Sequence, residues 1–386
     1  RPMTSVDPEL LALRRELHQI PELGFEEHQT SARIGEELRA LSNPKSIAQT
    51  GWVAEMGDEG AGTTLLLRAD MDGLPVQEET DLPFASTHPG KMHACGHDAH
   101  MASLISAART FRDEPPRGLA LRLLFQPAEE GLGGAVACIE AGALDGVDLA
   151  FGLHVWNELP TGVVVATPGG MMAGVIALEL VVRGRGGHGA LPERTDDPIV
   201  AAAQLVMALQ TVVSRRMDPQ EPAVLTIGAI HGGDALTVLP EETRVQGTLR
   251  SFEPSQARFL EEEVRRICEG IGVATGTRIE VKWMPYTIPT VNDPRVASLV
   301  AEAAESLDGV HEVLTDYRVM AGEDFGEILR VVPGCYALVG SGGADPSMAE
   351  PHHSPRFQID ESVLSITSAL HREVVNRVAD GGGFGP

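Results

Sequence analysis

Cysteine is scarce in this chain: Cys95, Cys138, Cys268 and Cys335 are the only four in 386 residues, and no two of them form a CxxC pair. That pattern excludes a disulfide framework and fits a reducing compartment, so the expected location is cytoplasmic. Basic residues are also few, 30 against 55 acidic, for a formal net charge of -25. Such a surface repels polyanions; no nucleic acid and no anionic membrane is expected as a partner, which leaves a small molecule. No apolar run is expected to approach the roughly 20 residues that cross a bilayer. The opening "RPMTSVDPELLALRRELHQ" lacks an apolar stretch before a small-residue cleavage site, so no secretory signal is expected. Arg1-Pro2 reads as a processed end or a cloning remnant, with Met3 a natural start.

What is present is an alternation of helical and strand patterns in a chain long enough for two domains. Two helices open it, "DPELLALRRELHQIPELG" and "EEHQTSARIGEELRAL". Short apolar runs then alternate with helices: "TTLLLRADMDGLP", "HMASLISAARTFRDE", "LALRLLFQPAEE" and "VDLAFGLHVW". Nearly continuous apolar runs between helices predict an α/β domain with a mostly parallel sheet buried on both faces. Near "TPGGMMAG" the style changes to strand, helix, strand, strand, helix, strand, a compact two-layer α+β unit that reads as an insertion. Helices and a strand in the first style resume after "MPYTIPTVNDP", and the closing "GGGFGP" is expected to fray. The expected division is a catalytic domain of residues 1–173 and 285–386 around an inserted domain of residues 174–284.

Polar residues end the apolar runs. "TTLLLRADMD" ends in Asp70 and Asp72, "LALRLLFQPAEE" in Glu129 and Glu130, and "VDLAFGLHVW" carries His154. Open α/β sheets bind ligands outside the carboxyl ends of their strands, so these groups converge on one edge. Taken singly, each has a bland reading: Asp70 and Asp72 as turn residues, the two glutamates as a solvated pair, His154 as a core histidine, "HHSP" as a turn. Jointly with "MHACGHDAHM" they supply Cys95, His97, Glu130, His154 and one of His352 or His353. Thiolate and imidazole suit zinc, while a carboxylate leaves manganese or cobalt open. Five ligands exceed the three of an open catalytic zinc, and a thiolate bridging two ions explains the surplus. Cys95 and His97, two apart, are expected on one side of an extended segment.

These motifs resemble the M20 metallopeptidases, in particular the branch of hippurate hydrolases, aminoacylase-like enzymes and auxin-conjugate hydrolases. The resemblance spans nearly the whole chain through "RRELHQIPELGFEE", "LRADMDGLP", "MHACGHDAHM", "FQPAEEG", "FGLHVW", "GRGGHGALPERTDDP", "MAGEDFG" and "HHSPRFQIDE". It implies a phosphorylase/hydrolase-like catalytic domain interrupted by a ferredoxin-like lid used for dimerisation. It implies two divalent ions, zinc or else manganese, cobalt or nickel, with Cys95 shared, His97 and His154 on one ion and Glu130 and His353 on the other. Glu129 becomes the general base, and Asp72 the aspartate that supports the centre, with Asp70 and Asp98 as alternatives. His188 becomes the lid histidine that reaches a substrate oxygen. Two departures bear on specificity: Thr237 stands where the family often has asparagine, and Arg194 where it often has histidine.

The implied reaction is hydrolysis of an N-acyl amino acid by a metal-activated water, with Glu129 moving the proton. Arg250 on the lid is a candidate to hold the substrate carboxylate and reads equally well as a surface arginine on a strand. Two rivals stand beside it. One is a dipeptidase or carboxypeptidase on the same scaffold. The other is a metal-bearing binding protein without catalysis, which has no need of a general base. A purely structural zinc site is disfavoured, because such sites are closed and usually rich in cysteine.

Overall fold

The computed structural model describes residues 5–58 and 60–381. The Arg1-Pro2-Met3 start and the glycine-rich end beyond residue 381 lie outside them. The chain forms two compact units, one of residues 1–169, 291–318 and 324–386, the other of residues 170–290 and 319–323.

The larger unit is built on an eight-stranded sheet. Its strand order is Lys45–Ile47, Gly51–Gly57, Ala120–Gln126, Thr64–Asp70, Leu149–Pro160, Gly334–Gly342, Val163–Val165, Glu312–Leu314. The four central strands, from Ala120–Gln126 to Gly334–Gly342, run parallel to one another. The Thr64–Asp70 strand is buried at six of its seven positions, as a strand covered on both faces must be. The outer strands depart from the parallel pattern: Gly51–Gly57 runs antiparallel to Ala120–Gln126, and Val163–Val165 antiparallel to Gly334–Gly342. The sequence reading missed the outer strands. They are short or only half-buried, so they lack the continuous apolar signature of the centre.

Helices pack on this sheet with apolar stripes at helical spacing. Pro8–His18 begins where the Asp7 carboxylate accepts from the Glu9 amide (2.9 Å), with Pro8 in the first turn where no amide is needed. Its Leu10, Leu13 and Leu17 are buried, each worth about 1.5–3 kcal/mol of transfer free energy. The helices His97–Asp113 and Val363–Ala379 are buried over most of their surface and share that core.

The inserted unit follows the predicted element order. Its sheet runs Ala223–Gly232, Glu242–Ser251, Gly174–Arg183, Arg278–Thr287, with every neighbouring pair antiparallel. Numbered along the chain, that order is second, third, first, fourth, the ferredoxin-like arrangement. The helices Pro198–Thr211 and Pro254–Thr275 share a core with the sheet, through Leu205, Leu209, Leu260 and Val264 on their side and Leu178, Leu180 and Val245 on the strands. One expectation needs correction here. Pro198–Arg216 is, by length and composition alone, apolar enough to cross a membrane. Its buried stripe of Ala201, Ala202, Leu205 and Leu209 has the spacing of a helix laid on a sheet, and Gln204 and Gln210 are exposed.

Candidate metal centre

Three adjacent parallel strands end at one edge of the large sheet. Asp72 follows Thr64–Asp70, Glu129 and Glu130 follow Ala120–Gln126, and Leu149–Pro160 carries His154. Cys95 and His97 arrive on a fourth segment. It is a turn into a helix rather than the expected extended stretch, because Gly96 has φ 85° and His97 opens the helix His97–Asp113. Only glycine fits there. A Cβ at Gly96 would meet Val155 Cγ2 at 2.4 Å, besides the left-handed backbone.

The side chains gather into overlapping sets. Candidate ligand atoms of Cys95, His97 and His154 lie within 4.8 Å of one another, and so do those of Cys95, Glu130 and His353. Cys95 belongs to both sets. A further set joins His97, Glu129 and Glu130. The two histidines of "HHSP" separate clearly. His353 Nε2 lies 3.3 Å from Glu130 Oε1, whereas His352 Nε2 accepts from the Asn157 amide (3.1 Å) and its ring stacks on Trp156. Among the described residues His97 Nε2 is buried with no hydrogen-bond partner, and it belongs to two of these sets. Buried polar atoms are rarely left so. The residues present therefore fit a pair of divalent cations.

The three candidate aspartates take three different tasks. Asp72 Oδ1 lies 3.2 Å from His97 Nδ1, and its Oδ2 accepts from the Glu130 amide (2.9 Å). A carboxylate behind a ligating imidazole fixes its orientation and raises its basicity. Asp70 instead accepts from His100 Nδ1 (2.6 Å) and pairs with Arg68 (2.7 Å). Asp98 pairs with Arg14 (2.9 Å) and His18 (2.8 Å), which ties the start of the metal-site helix to the first helix of the chain.

Charge is concentrated and dry here. Burial works against the Asp70 carboxylate, but the cations of His97, Arg68 and His100 outweigh it and hold Asp70 well below the usual range. Burial also disfavours charge on His97, yet Asp70 and Asp72 raise it to about 10. Burial, then the negative charges of Glu130, Glu129 and Asp70, push the Cys95 thiol well up. Burial, helped by the crowding of the His100 and His352 rings against it, pushes His154 well down and keeps it a neutral imidazole. The carboxylates thus demand positive charge at this spot, beside a neutral imidazole of the kind that binds metal.

The inserted unit carries the remaining sequence candidates. His188 and Thr237 lie on and beside a small antiparallel ribbon in which Val238 pairs with His188. Both His188 and Thr237 are exposed, and His188 Nδ1 accepts from the Ala190 amide (3.1 Å). Arg250, on Glu242–Ser251, donates to the Met320 carbonyl (2.8 Å). Arg194 is exposed in the short turn Pro192–Arg194.

Sequence reasoning passed over several residues that shape the centre. Arg68 is fully buried and joins Asp70, Asp324 (2.9 Å) and Gln126 (3.0 Å). A single arginine inside "LLLRAD" was the available signal. Asn157 donates to the carbonyls of Glu350 (3.0 Å) and Gln358 (2.6 Å) and accepts from Ser341 Oγ (2.7 Å). It thereby holds the loop that presents His353; nothing in its local sequence announces this.

A mostly parallel α/β sheet with thiol, imidazole and carboxylate ligands in two sets that share one sulfur defines the class: a two-metal centre with an acid beside it. The chain belongs to peptidase family M20/M25/M40, which matches residues 66–377. It is 37% identical over 382 residues to an N-acetyl-L-cysteine deacetylase of Bacillus subtilis, covering 98% of this chain and 90% of that protein. It is likewise 37% identical over 369 residues to thermostable carboxypeptidase 1 of Saccharolobus solfataricus, covering 94% and 93%. Among solved structures it resembles the Bacillus subtilis YXEP protein, described as a dinuclear metal binding peptidase, with TM-score 0.84, 34% identity and coverage of 96% and 98%. The ligand sets and this likeness together support two divalent metal ions as the cofactors.

Proposed function

We propose that this chain hydrolyses the amide bond of N-acyl amino acids, with Glu129 as the proton-transferring base. The observation that carries the reading is the position of Glu129. Its carboxylate is largely buried, 4.0 Å from His97 Nε2, and grouped with His97 and Glu130 at the edge where both ligand sets meet. Cys95, His97 and His154 would hold one ion, and Cys95, Glu130 and His353 the other. When bound, the ions supply Lewis acidity that lowers the pKa of water towards neutrality and polarises the amide carbonyl. Glu129 takes the proton of the attacking water and returns it to the leaving nitrogen. Asp72 holds the His97 ring and the Glu130 backbone in place while it does so. On the inserted unit, Nδ1 of His188 is occupied as an acceptor, so its proton sits on Nε2, as a donor to the substrate oxyanion requires. Arg250 and Thr237 are the further substrate contacts we propose there.

Zinc is the ion we propose, on the strength of thiolate and imidazole donors, with manganese, cobalt and nickel as substitutes. We also propose a homodimer through the inserted unit. Ile199, Val200 and Met207 are exposed on one helix, Met207 at 73%, which supports a partnered face. A cytoplasmic setting agrees with four cysteines that form no disulfide.

The test is release of free amino acid from hippurate, N-acetyl amino acids, indoleacetyl conjugates and dipeptides by chelator-stripped protein, with and without each ion. Turnover of the N-acyl substrates restored by metal is the expected result. Silence across the panel with two ions bound would sink the proposal. The likeness to a carboxypeptidase favours one second reading, peptide cleavage, which predicts that dipeptides outrun the N-acyl substrates.

A further inference from the structure

The chain turns sharply between the strand Ala120–Gln126 and the glutamate pair, and the turn is made by Ala128 at φ 56°. A side chain other than glycine or asparagine seldom holds that left-handed conformation, so something must stabilise it. Ala128 is fully buried, and its amide donates to Glu27 Oε1 (2.9 Å). Glu27 is itself fully buried, and its Oε2 accepts from Thr50 Oγ1 (2.6 Å).

Glu27 occupies the N-cap position of the helix His28–Arg39 yet makes no capping bond. That work falls to Glu22, which accepts from the amides of Gln29 (2.8 Å) and Thr30 (2.9 Å). The Glu27 carboxylate is therefore left to reach a distant segment. A buried carboxylate is costly, and a buried amide leaves an apolar residue no way to satisfy it. The same opening segment presses on the turn from a second side, since a Cβ at Gly24 would come 2.9 Å from Ala128 Cα.

We propose that Glu27 is a positioning residue: it holds Ala128 left-handed and so aims Glu129 and Glu130 at the reacting edge. The proposal rests on Glu129 being the base. Neither Glu27 nor Ala128 contacts substrate in this account; the effect travels through the two peptide units that join Ala128 to the glutamates. Misplacing a catalytic group by about 1 Å costs roughly 100-fold in rate, which sets the scale of the effect.

The experiment measures kcat and KM on the fastest N-acyl substrate of the panel, and zinc retained after dialysis, for variants at Glu27 and Ala128. Glu27→Ala is expected to lose about 100-fold in kcat with KM moved less than about 3-fold, and to retain less than two zinc ions per chain. Glu27→Gln keeps an acceptor oxygen for the Ala128 amide and is expected to recover most of the loss. In the double variant Glu27→Ala, Ala128→Gly, glycine adopts the left-handed turn unaided and is expected to restore kcat at least about 10-fold. A merely structural role for Glu27 would not answer to a change at Ala128. Should Glu27→Ala fail to fold, Glu27→Asp, one methylene too short, carries the same comparison. Wild-type kcat and zinc content in the Glu27 variant, or no recovery by Ala128→Gly, would overturn the proposal. Glu129→Gln, run alongside, separates the two ideas: if it turns over normally, the base is misassigned, whatever Glu27 does.

Discussion

In the larger unit Arg14, Arg68, Asp70 and Asp98 are almost wholly buried, and each is matched by oppositely charged or hydrogen-bonding partners, most of them from other elements of the fold. In the inserted unit the sheet carries ion pairs with exposed cations, as where Glu179 meets Lys282 (2.7 Å) and Arg244 (3.4 Å), and the buried Glu263 is paired with the exposed Arg216 (2.9 Å) and Arg266 (2.6 Å). The two units therefore differ in what their polar residues do. Ion pairs in water contribute little because solvent screens them, whereas a buried charge must be compensated at every contact. Stability alone gives no reason to bury so much charge at the edge of a parallel sheet; a centre for cations does. The inserted unit has an apolar core between its sheet and helices.

Substitutions can break this contrast. Glu129→Gln should lower kcat by about 1,000-fold while both ions stay bound, read by turnover and elemental analysis on one sample. Retained turnover would show that the buried charge serves some purpose other than proton transfer. Arg68→Met takes the guanidinium away from the buried Asp70 and Asp324, which keep His100 and Gln126 respectively as side-chain partners, and should cost about 3–5 kcal/mol in urea unfolding. An unshifted midpoint would mean the buried network is not under electrostatic demand. Asp72→Asn loosens the His97 ring and should weaken metal binding by about 10- to 100-fold, measured by competition with a chromogenic chelator. Equal effects from Asp70→Asn and Asp72→Asn would erase the distinction between them. Glu179→Gln should leave the unfolding midpoint where it is, and a clear loss would show that the inserted unit also depends on its ion pairs.

Much of this was legible beforehand because it is local. Each apolar run with the acids that end it, and the change of style near residue 170, can be read from a short stretch of consecutive residues. The membrane-length helix shows where local reading stops. Pro198–Arg216 counts as apolar by composition, and only the stripe of Ala201, Ala202, Leu205 and Leu209 against the sheet explains why. The extended Cys95–His97 segment failed for a similar reason. Two residues of spacing fit a strand or a turn equally, and Gly96 packed on Val155 chose the turn.

By itself the sequence determined which kinds of donor are present and that parallel strands would carry them to one edge, since both follow from residue type and from period along the chain. Tertiary structure alone decided that Asp72 rather than Asp70 or Asp98 stands behind His97, and that His353 rather than His352 faces Glu130. It also decided that Ala128 turns left-handed under Glu27, a residue 101 positions away. Those outcomes depend on backbone angles and on pairings between remote segments, and neither is encoded in any short stretch of residues.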